Sequence, residues 1–245
     1  MIAFLGMYDM PHAAAAYDRF WSAIRDALGK GPEHLTRTAD PWPVWQSDRL
    51  LLAQTCGLPF RARLYRQVRL VGTPDYGLPG CPPGHYFSHI IRRRDDRRSL
   101  RDLARTGTMA FNEPLSQSGW AAPVAHLANL GLRPGKTMQT GAHLASAHAV
   151  LEGHADYAAI DAITFQMWGQ GHPQVNAGLE AFARTDPTPG LPLITHPVQN
   201  PKQIAQGVAR AMDALPRDDR DILMLKGLVQ IPQSTYCAIP IPQTP

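Results

Sequence analysis

No stretch of this sequence approaches the roughly 20 consecutive apolar residues that a membrane helix requires, so no membrane insertion is expected. Charge is sparse as well: Asp, Glu, Lys and Arg make up 18% of the chain, with a net charge of +4. The one dense charged run, Arg92-Arg93-Arg94-Asp95-Asp96-Arg97-Arg98, carries its own acids. A nucleic-acid binder concentrates cations on one face. The run therefore reads as a solvated turn after a strand, and no nucleic-acid partner is expected. The Gly-rich nucleotide loop, the His-Glu-x-x-His and Cys-x-x-Cys zinc spacings and the Gly-x-Ser-x-Gly elbow are all missing, so no cofactor or metal is expected. Cysteine is limited to three residues. Cys56 and Cys81 both sit in turn-rich surroundings, where a disulfide closing about 25 residues would contribute roughly 3 kcal/mol and indicate an oxidising compartment. Two unrelated thiols are an equally good reading. Cys237 is left over.

What is present is an alternation of strand and helix, punctuated by 23 prolines and 20 glycines scattered through 245 residues. Ile2–Met7 reads as a strand. Residues 13–28 read as a helix with Ala16, Phe20, Ile24 and Leu28 on one stripe. Ser47 to Gln54 is expected to be a short helix capped by Ser47, and Phe60 to Leu70 a half-buried strand. Tyr86–Ile91, Thr108–Phe111, Lys136–Thr140, Tyr157–Asp161 and Leu191–Thr195 read as further strands. Leu100–Ala104 reads as a helical turn, and helices are expected from Ser118 to Leu130, His143 to Glu152 and Pro201 to Leu215. After Trp168 the pattern loosens.

Strands separated by helices of this length imply α/β units with largely parallel sheets. Two sets appear. The expectation is a first lobe of residues 1–85 plus 190–245 and a second of residues 86–189, with a ligand cleft between them.

The sharpest local feature is Phe111-Asn112-Glu113-Pro114-Leu115-Ser116-Gln117-Ser118-Gly119-Trp120. A strand ends, the chain turns, and hydroxyl residues cluster where a helix begins. Free N–H groups and the positive dipole end at a helix start attract an anion. Simple N-capping by Ser116 or Ser118 is the competing reading. The second feature, Gln139-Thr140-Gly141-Ala142-His143-Leu144-Ala145-Ser146, repeats the layout. Thr140 and His143 are its candidate donors, and both turns lie at carboxyl ends of strands, where open α/β sheets bind ligands.

In these two turns the sequence resembles the phosphonate/phosphate-binding family of periplasmic binding proteins. The likeness extends to Pro83-Gly84-His85-Tyr86-Phe87-Ser88, to Ala149-Val150 and to the run from Gly153 to Asp161. It implies a type II two-lobed α/β fold, an oxyanion held by Ser116, Gln117, Ser118, Thr140 and His143, and an ABC permease as partner. It also implies a periplasmic location. Met1–Gly6 lacks the marks of a signal peptide, which leaves a removed export signal or a cytoplasmic protein as the two expectations. By position, aminophosphonate binders of the family place a carboxylate at Asp161 and a second after a Pro-Gly. Here that second place is Leu191, so a ligand with less positive charge is expected. Tyr8, Trp45, Ser47 and Tyr86 are the candidates for the opposing wall, since aromatic rings exclude water and their polar edges reach an anion.

Two other classes fit the same fold. One is an enzyme acting on a small anionic metabolite, with His143 and Asp161 as base and acid. The other is a ligand sensor.

Overall fold

A computed structural model describes residues 1–171 and 177–244. The loosened pattern after Trp168 runs partly outside the described residues. The chain divides into two compact units, Met1–His85 with Pro189–Ile239, and Tyr86–Thr188 with Pro240–Pro245. The sequence assigned residues 190–245 whole to the first lobe. From Pro240 onward they group instead with the second unit, where the Trp120 indole donates to the Gln243 carbonyl at 3.0 Å.

The first unit opens with β1 (Ile2–Phe4), α1 (Ala14–Leu28) and the single turn α2 (Trp42–Trp45). The next elements are β2 (Leu50–Gln54), α3 (Gly57–Pro59), a π-helical turn over Phe60–Leu64, and β3 (Arg69–Asp75). The expected stripe on α1 forms: Ala16, Phe20, Ile24 and Leu28 are all buried.

Two expectations fail here. Leu50–Gln54 is a strand, and all five of its residues are buried. A central strand covered on both faces shows a continuous apolar run instead of alternation, which is why it mimics a helix. Phe60–Leu70 is strand only in its last two residues. Phe60, Leu64 and Val68 recur at intervals of four and are buried in one cluster with Trp45 and Tyr236, so the period is helical and the strand begins only at Arg69.

The chain enters the second unit through β4 (His85–Tyr86) and builds it from β5 (Ser88–Arg93), α4 (Leu100–Thr106) and β6 (Thr108–Phe111). A π-helical turn over Gln117–Ala121 runs into α5 (Ala122–Asn129), followed by β7 (Lys136–Gln139) and α6 (His143–Leu151). The unit is completed by β8 (Tyr157–Asp161), α7 (Ala162–Gly171) and β9 (Leu179–Arg184). After β10 (Thr188–Pro189) the first unit resumes with β11 (Leu193–Thr195) and α8 (Pro201–Ala214). A terminal segment of α9 (Arg217–Ile222), β12 (Gly227–Val229) and α10 (Gln233–Cys237) gave no clear sequence signal.

Each unit holds a five-stranded sheet, ordered β1-β2-β11-β3-β12 in the first and β7-β6-β8-β5-β9 in the second. The sheets are mixed, not largely parallel. Among the described residues of these two sheets, β1–β2, β6–β7 and β6–β8 pair parallel, while β5, β11 and β12 pair antiparallel with their neighbours. The helix-connected strands are the parallel ones, as a crossover demands. Where the chain arrives from the other unit, at β5 and β11, no crossover helix fixes the direction.

The arginine run is more structured than a solvated turn. Arg92 bonds Glu180 at 2.8 Å and lies 4.3 Å over the Phe182 ring. Arg93 donates to the Val150 and Ala155 carbonyls, and Arg98 bridges Asp96 and Asp156. Both Arg92 and Arg93 lie within β5, so their side chains are spent on the unit's own frame. Cys56, Cys81 and Cys237 are thiols, and no disulfide joins the expected pair. Cys56 is buried at the end of β2 and Cys81 half-buried in the loop after β3, so a bridge would tie a core position to a surface turn.

The terminal segment is anchored by Tyr236, fully buried against Phe60 with ring centroids 5.3 Å apart. Its hydroxyl shares a hydrogen bond with Thr73 Oγ1 at 2.6 Å and donates to the Gly190 carbonyl at 2.9 Å. Tyr236→Ala should cost about 3–5 kcal/mol through cavity formation. Tyr236→Phe should cost about 1–2 kcal/mol through its orphaned partners. Urea denaturation of the two variants checks both values; equal losses would mean that the hydroxyl contributes nothing.

Candidate functional site

In the second unit, parallel pairing of β6 with β7 brings the two donor turns side by side. Beyond the last paired residues, Phe111 and Gln139, the turns are stitched directly: Thr140 N–H donates to the Phe111 carbonyl and Gly141 N–H to that of Asn112, both at 2.9 Å. Gly141 has φ +87°, a left-handed conformation that side chains disfavour, and it turns the chain from β7 into α6.

The first turn ends in an N-cap. Ser116 Oγ accepts from Gly119 N–H at 2.9 Å, closing the start of the π-helical turn that leads into α5. A Cβ on Gly119 would lie 2.0 Å from Asn112 Oδ1, so only glycine lets that amide close over the helix start. Asn112 Oδ1 is itself buried without a hydrogen-bond partner. By contrast, α6 follows Ala142, which has no side chain able to cap its first N–H groups.

Ser118 and His143 join the two helix starts. Ser118 Oγ and His143 Nε2 are 2.9 Å apart. Ser88, on β5, donates its hydroxyl to the Ser118 carbonyl at 2.9 Å and holds the turn from below. Thr140 faces inward to its own loop: its hydroxyl contacts the Phe111 and Ala142 carbonyls and, at 2.6 Å, Ser146 Oγ. Gln117 is buried, with Nε2 3.5 Å from Thr188 Oγ1. Asp161 ends β8 and caps α7, its Oδ1 accepting from the N–H groups of Ile163 and Thr164 at 2.8 and 3.0 Å.

Of the sequence candidates, Ser116, Ser118, Thr140 and His143 thus belong to one connected cluster, with Ser116 acting as cap and Thr140 as loop brace. Asp161 is a helix cap as well as a buried acid. The first-unit candidates are dispersed. Tyr8 is buried and packs edge-on against Tyr76, 5.2 Å between centroids. Trp45 is a core residue, its indole N–H on the Gln54 carbonyl, and not the wall position expected. Ser47 Oγ accepts from Arg49 N–H in the turn before β2, at the amino end of that strand, where parallel strands do not present ligands. Tyr86 is buried in β4. Ser88, Asn112 and Ser146 were not singled out from the sequence. Asn112 lies inside the quoted turn, but an Asn between a strand and a proline reads as an ordinary turn former.

The cluster holds hydroxyls, amides and one imidazole, with no fixed cation of its own. Burial pushes the His143 pKa down to about 4, and the backbone of Ala159 offsets only part of that. Its Nδ1 is buried and makes no well-formed hydrogen bond. The ring is therefore neutral near pH 7. Unfolding restores an ordinary value near 6.5, so the unfolded chain takes up the proton first as pH falls. The contribution of neutral His143 is complete above about pH 6.5 and is lost progressively down to about pH 4. Removing that linkage in His143→Gln should spare roughly 3 kcal/mol of the loss between pH 7 and pH 4. Thermal melts of both proteins at pH 7, 5.5 and 4 check this. Parallel decline in the two proteins would show that His143 titrates normally.

A family model described as the phosphonate periplasmic substrate-binding protein of ABC transporters matches residues 53–234, well over half of the chain. Among solved structures, the chain is similar to a phosphonate-transporter binding protein of Pseudomonas aeruginosa, with a TM-score of 0.73 and 15% identity over 96% of this chain and 82% of that one. A second is a protein of Prochlorococcus marinus in complex with methylphosphonate, with a TM-score of 0.74 and 14% identity over 96% and 94%. A third, from Xanthomonas citri and bound to ATP, gives 0.69 and 13% over 96% and 92%. No curated protein matches the sequence. With the mixed α/β units of a type II binding protein and a family match over residues 53–234, the chain belongs to the phosphonate-binding family of ABC-transporter substrate-binding proteins.

Proposed function

We propose that the chain captures a small oxyanion, a phosphonate, phosphate or close relative, at the paired helix starts of its second unit and delivers it to an ABC permease from the periplasmic side. The observation that carries this reading is the 2.9 Å contact between Ser118 Oγ and His143 Nε2, made where two helices begin. A desolvated oxyanion needs several donors at once, because an unpaired buried charge costs several kcal/mol. Here Ser118 supplies a hydroxyl, His143 a ring N–H, and the uncapped start of α6 its backbone amides.

The near-neutral site suits a ligand that brings its own charge. Emptied, it holds no fixed cation to be compensated; filled, the anion favours the protonated imidazole, so binding and proton uptake on His143 are coupled. Asp161 is committed in part to capping α7, and Leu191 stands where the resemblance to aminophosphonate binders places a second carboxylate, which favours a simple anion.

Methylphosphonate or inorganic phosphate should raise the melting temperature through preferential binding to the folded state. Ser118→Ala and His143→Ala should each weaken that binding by about 1–3 kcal/mol without unfolding the protein. Isothermal titration of the two variants decides the matter. Wild-type affinity in both would reduce these residues to helix-start packing.

A further inference from the structure

Three stretches of this chain hold neither Asp nor Glu: residues 49–74, 187–212 and 222–245. Parts of all three meet at one end of the first unit. Arg69 opens β3 and pairs with Thr195 at the end of β11, Pro201 opens α8, and Gln233 opens α10. The strands β1 and β2 run parallel, and β3 shares their direction because both β2 and β3 pair antiparallel with β11. This is therefore the end at which those strands start, opposite the carboxyl edge where open α/β sheets present small ligands.

A cavity of about 360 Å³ lies there, with Val68, Pro197 and Pro201 as apolar lining and Arg66 and Arg69 as cations. Arg69 Nε donates to the Pro197 carbonyl at 3.3 Å, which fixes that guanidinium and leaves its terminal N–H groups to face outward. Arg66 stacks over the Tyr65 ring at 5.2 Å, and Arg63 over that of Trp42 at the same distance. All three arginines are exposed. Among the described residues none of them is ion-paired with a carboxylate, in contrast to Arg19, Arg37 and Arg98. Beside the cavity, Val198 is 75% exposed, the most exposed large apolar side chain among the described residues.

A face left to solvent interleaves both signs of charge. Here one sign is missing from three separate stretches that folding brings together. A guanidinium held against a ring or a carbonyl is already oriented, so it loses little freedom when it forks onto a carboxylate. The shape selects among acidic partners. A lipid surface calls for a row of apolar side chains that insert together, whereas this site is concave with one protruding valine. A Glu or Asp side chain suits it: the methylenes pack on Val68 and Pro197, and the carboxylate accepts charge-assisted hydrogen bonds from the arginines.

We infer that the first unit carries a docking surface for an acidic protein segment, whose Glu or Asp side chain enters the cavity beside Arg66 and Arg69 while an adjacent apolar residue covers Val198. The surface lies within one unit and goes beyond the oxyanion reading, which neither supports it nor depends on it.

The probe is a short fluorescent peptide of repeated Glu-Leu-Glu units, with a Gln-Leu-Gln peptide as its neutral counterpart. Anisotropy titrations compare wild type, Arg66→Gln/Arg69→Gln and Arg101→Gln/Arg105→Gln, the last removing the same charge from the exposed face of α4 in the second unit. Wild type should bind the Glu peptide and not the Gln peptide, and more weakly as salt rises. Arg66→Gln/Arg69→Gln should weaken binding at least about tenfold, the scale of a hydrogen bond to a charged group. Arg101→Gln/Arg105→Gln should bind like wild type. Should loss of the Arg69–Pro197 bond unfold the first double variant, Arg66→Glu alone decides, and it should abolish binding. No binding of the Glu peptide, equal binding of both peptides, equal losses in the two double variants, or wild-type binding by Arg66→Glu overturns the inference. Wild type is also sedimented with vesicles of phosphatidylglycerol and phosphatidylcholine. Vesicle binding without peptide binding assigns the face to a lipid surface and overturns the inference as well.

Discussion

The hydrogen bond between Ser118 and His143 is the constraint from which the rest of the second unit's site follows. For the two side chains to meet, β6 and β7 must run parallel and end together, and the loops beyond them must be locked to each other. The Phe111–Thr140 and Asn112–Gly141 backbone bonds do this. Each neighbouring choice serves the same end: glycine at 119 to admit Asn112, glycine at 141 to turn, Ser88 beneath to hold the Ser118 carbonyl. Neutral His143 belongs to this arrangement as well, because a charged ring there would need a counterion that the cluster does not hold.

The two units divide the chemistry unequally. The second offers hydroxyls and helix-start amides, groups suited to an anion. The first keeps its unsatisfied group as a carboxylate, Asp9, within a network of Tyr17, Tyr76 and Gln54.

The donor turns were legible in the sequence because their physics is local: a strand, a turn residue, hydroxyls and a helix start lie within ten residues. So was the α1 stripe, where periodicity of 3.6 decides burial. What failed depended on distant context. Leu50–Gln54 looks helical until one knows that both of its faces are buried, and Trp45 looks like a site aromatic until the core around Tyr236 is seen. The terminal segment was missed because its anchor, Tyr236, finds Thr73 and Gly190 from far along the chain. Asp9 was missed for a similar reason. A lone acid after a strand is ordinary in sequence, and only burial beside Arg37 with one oxygen orphaned distinguishes it.

The most direct test of the central claim follows the His143 imidazole by nitrogen NMR through a pH titration, with and without saturating methylphosphonate. The account predicts a neutral ring with a pKa near 4 in the free protein, moving upward when the anion binds, together with a changed shift at the nitrogen facing Ser118. A free-state pKa near 6.5, or one that the ligand leaves in place, would contradict it.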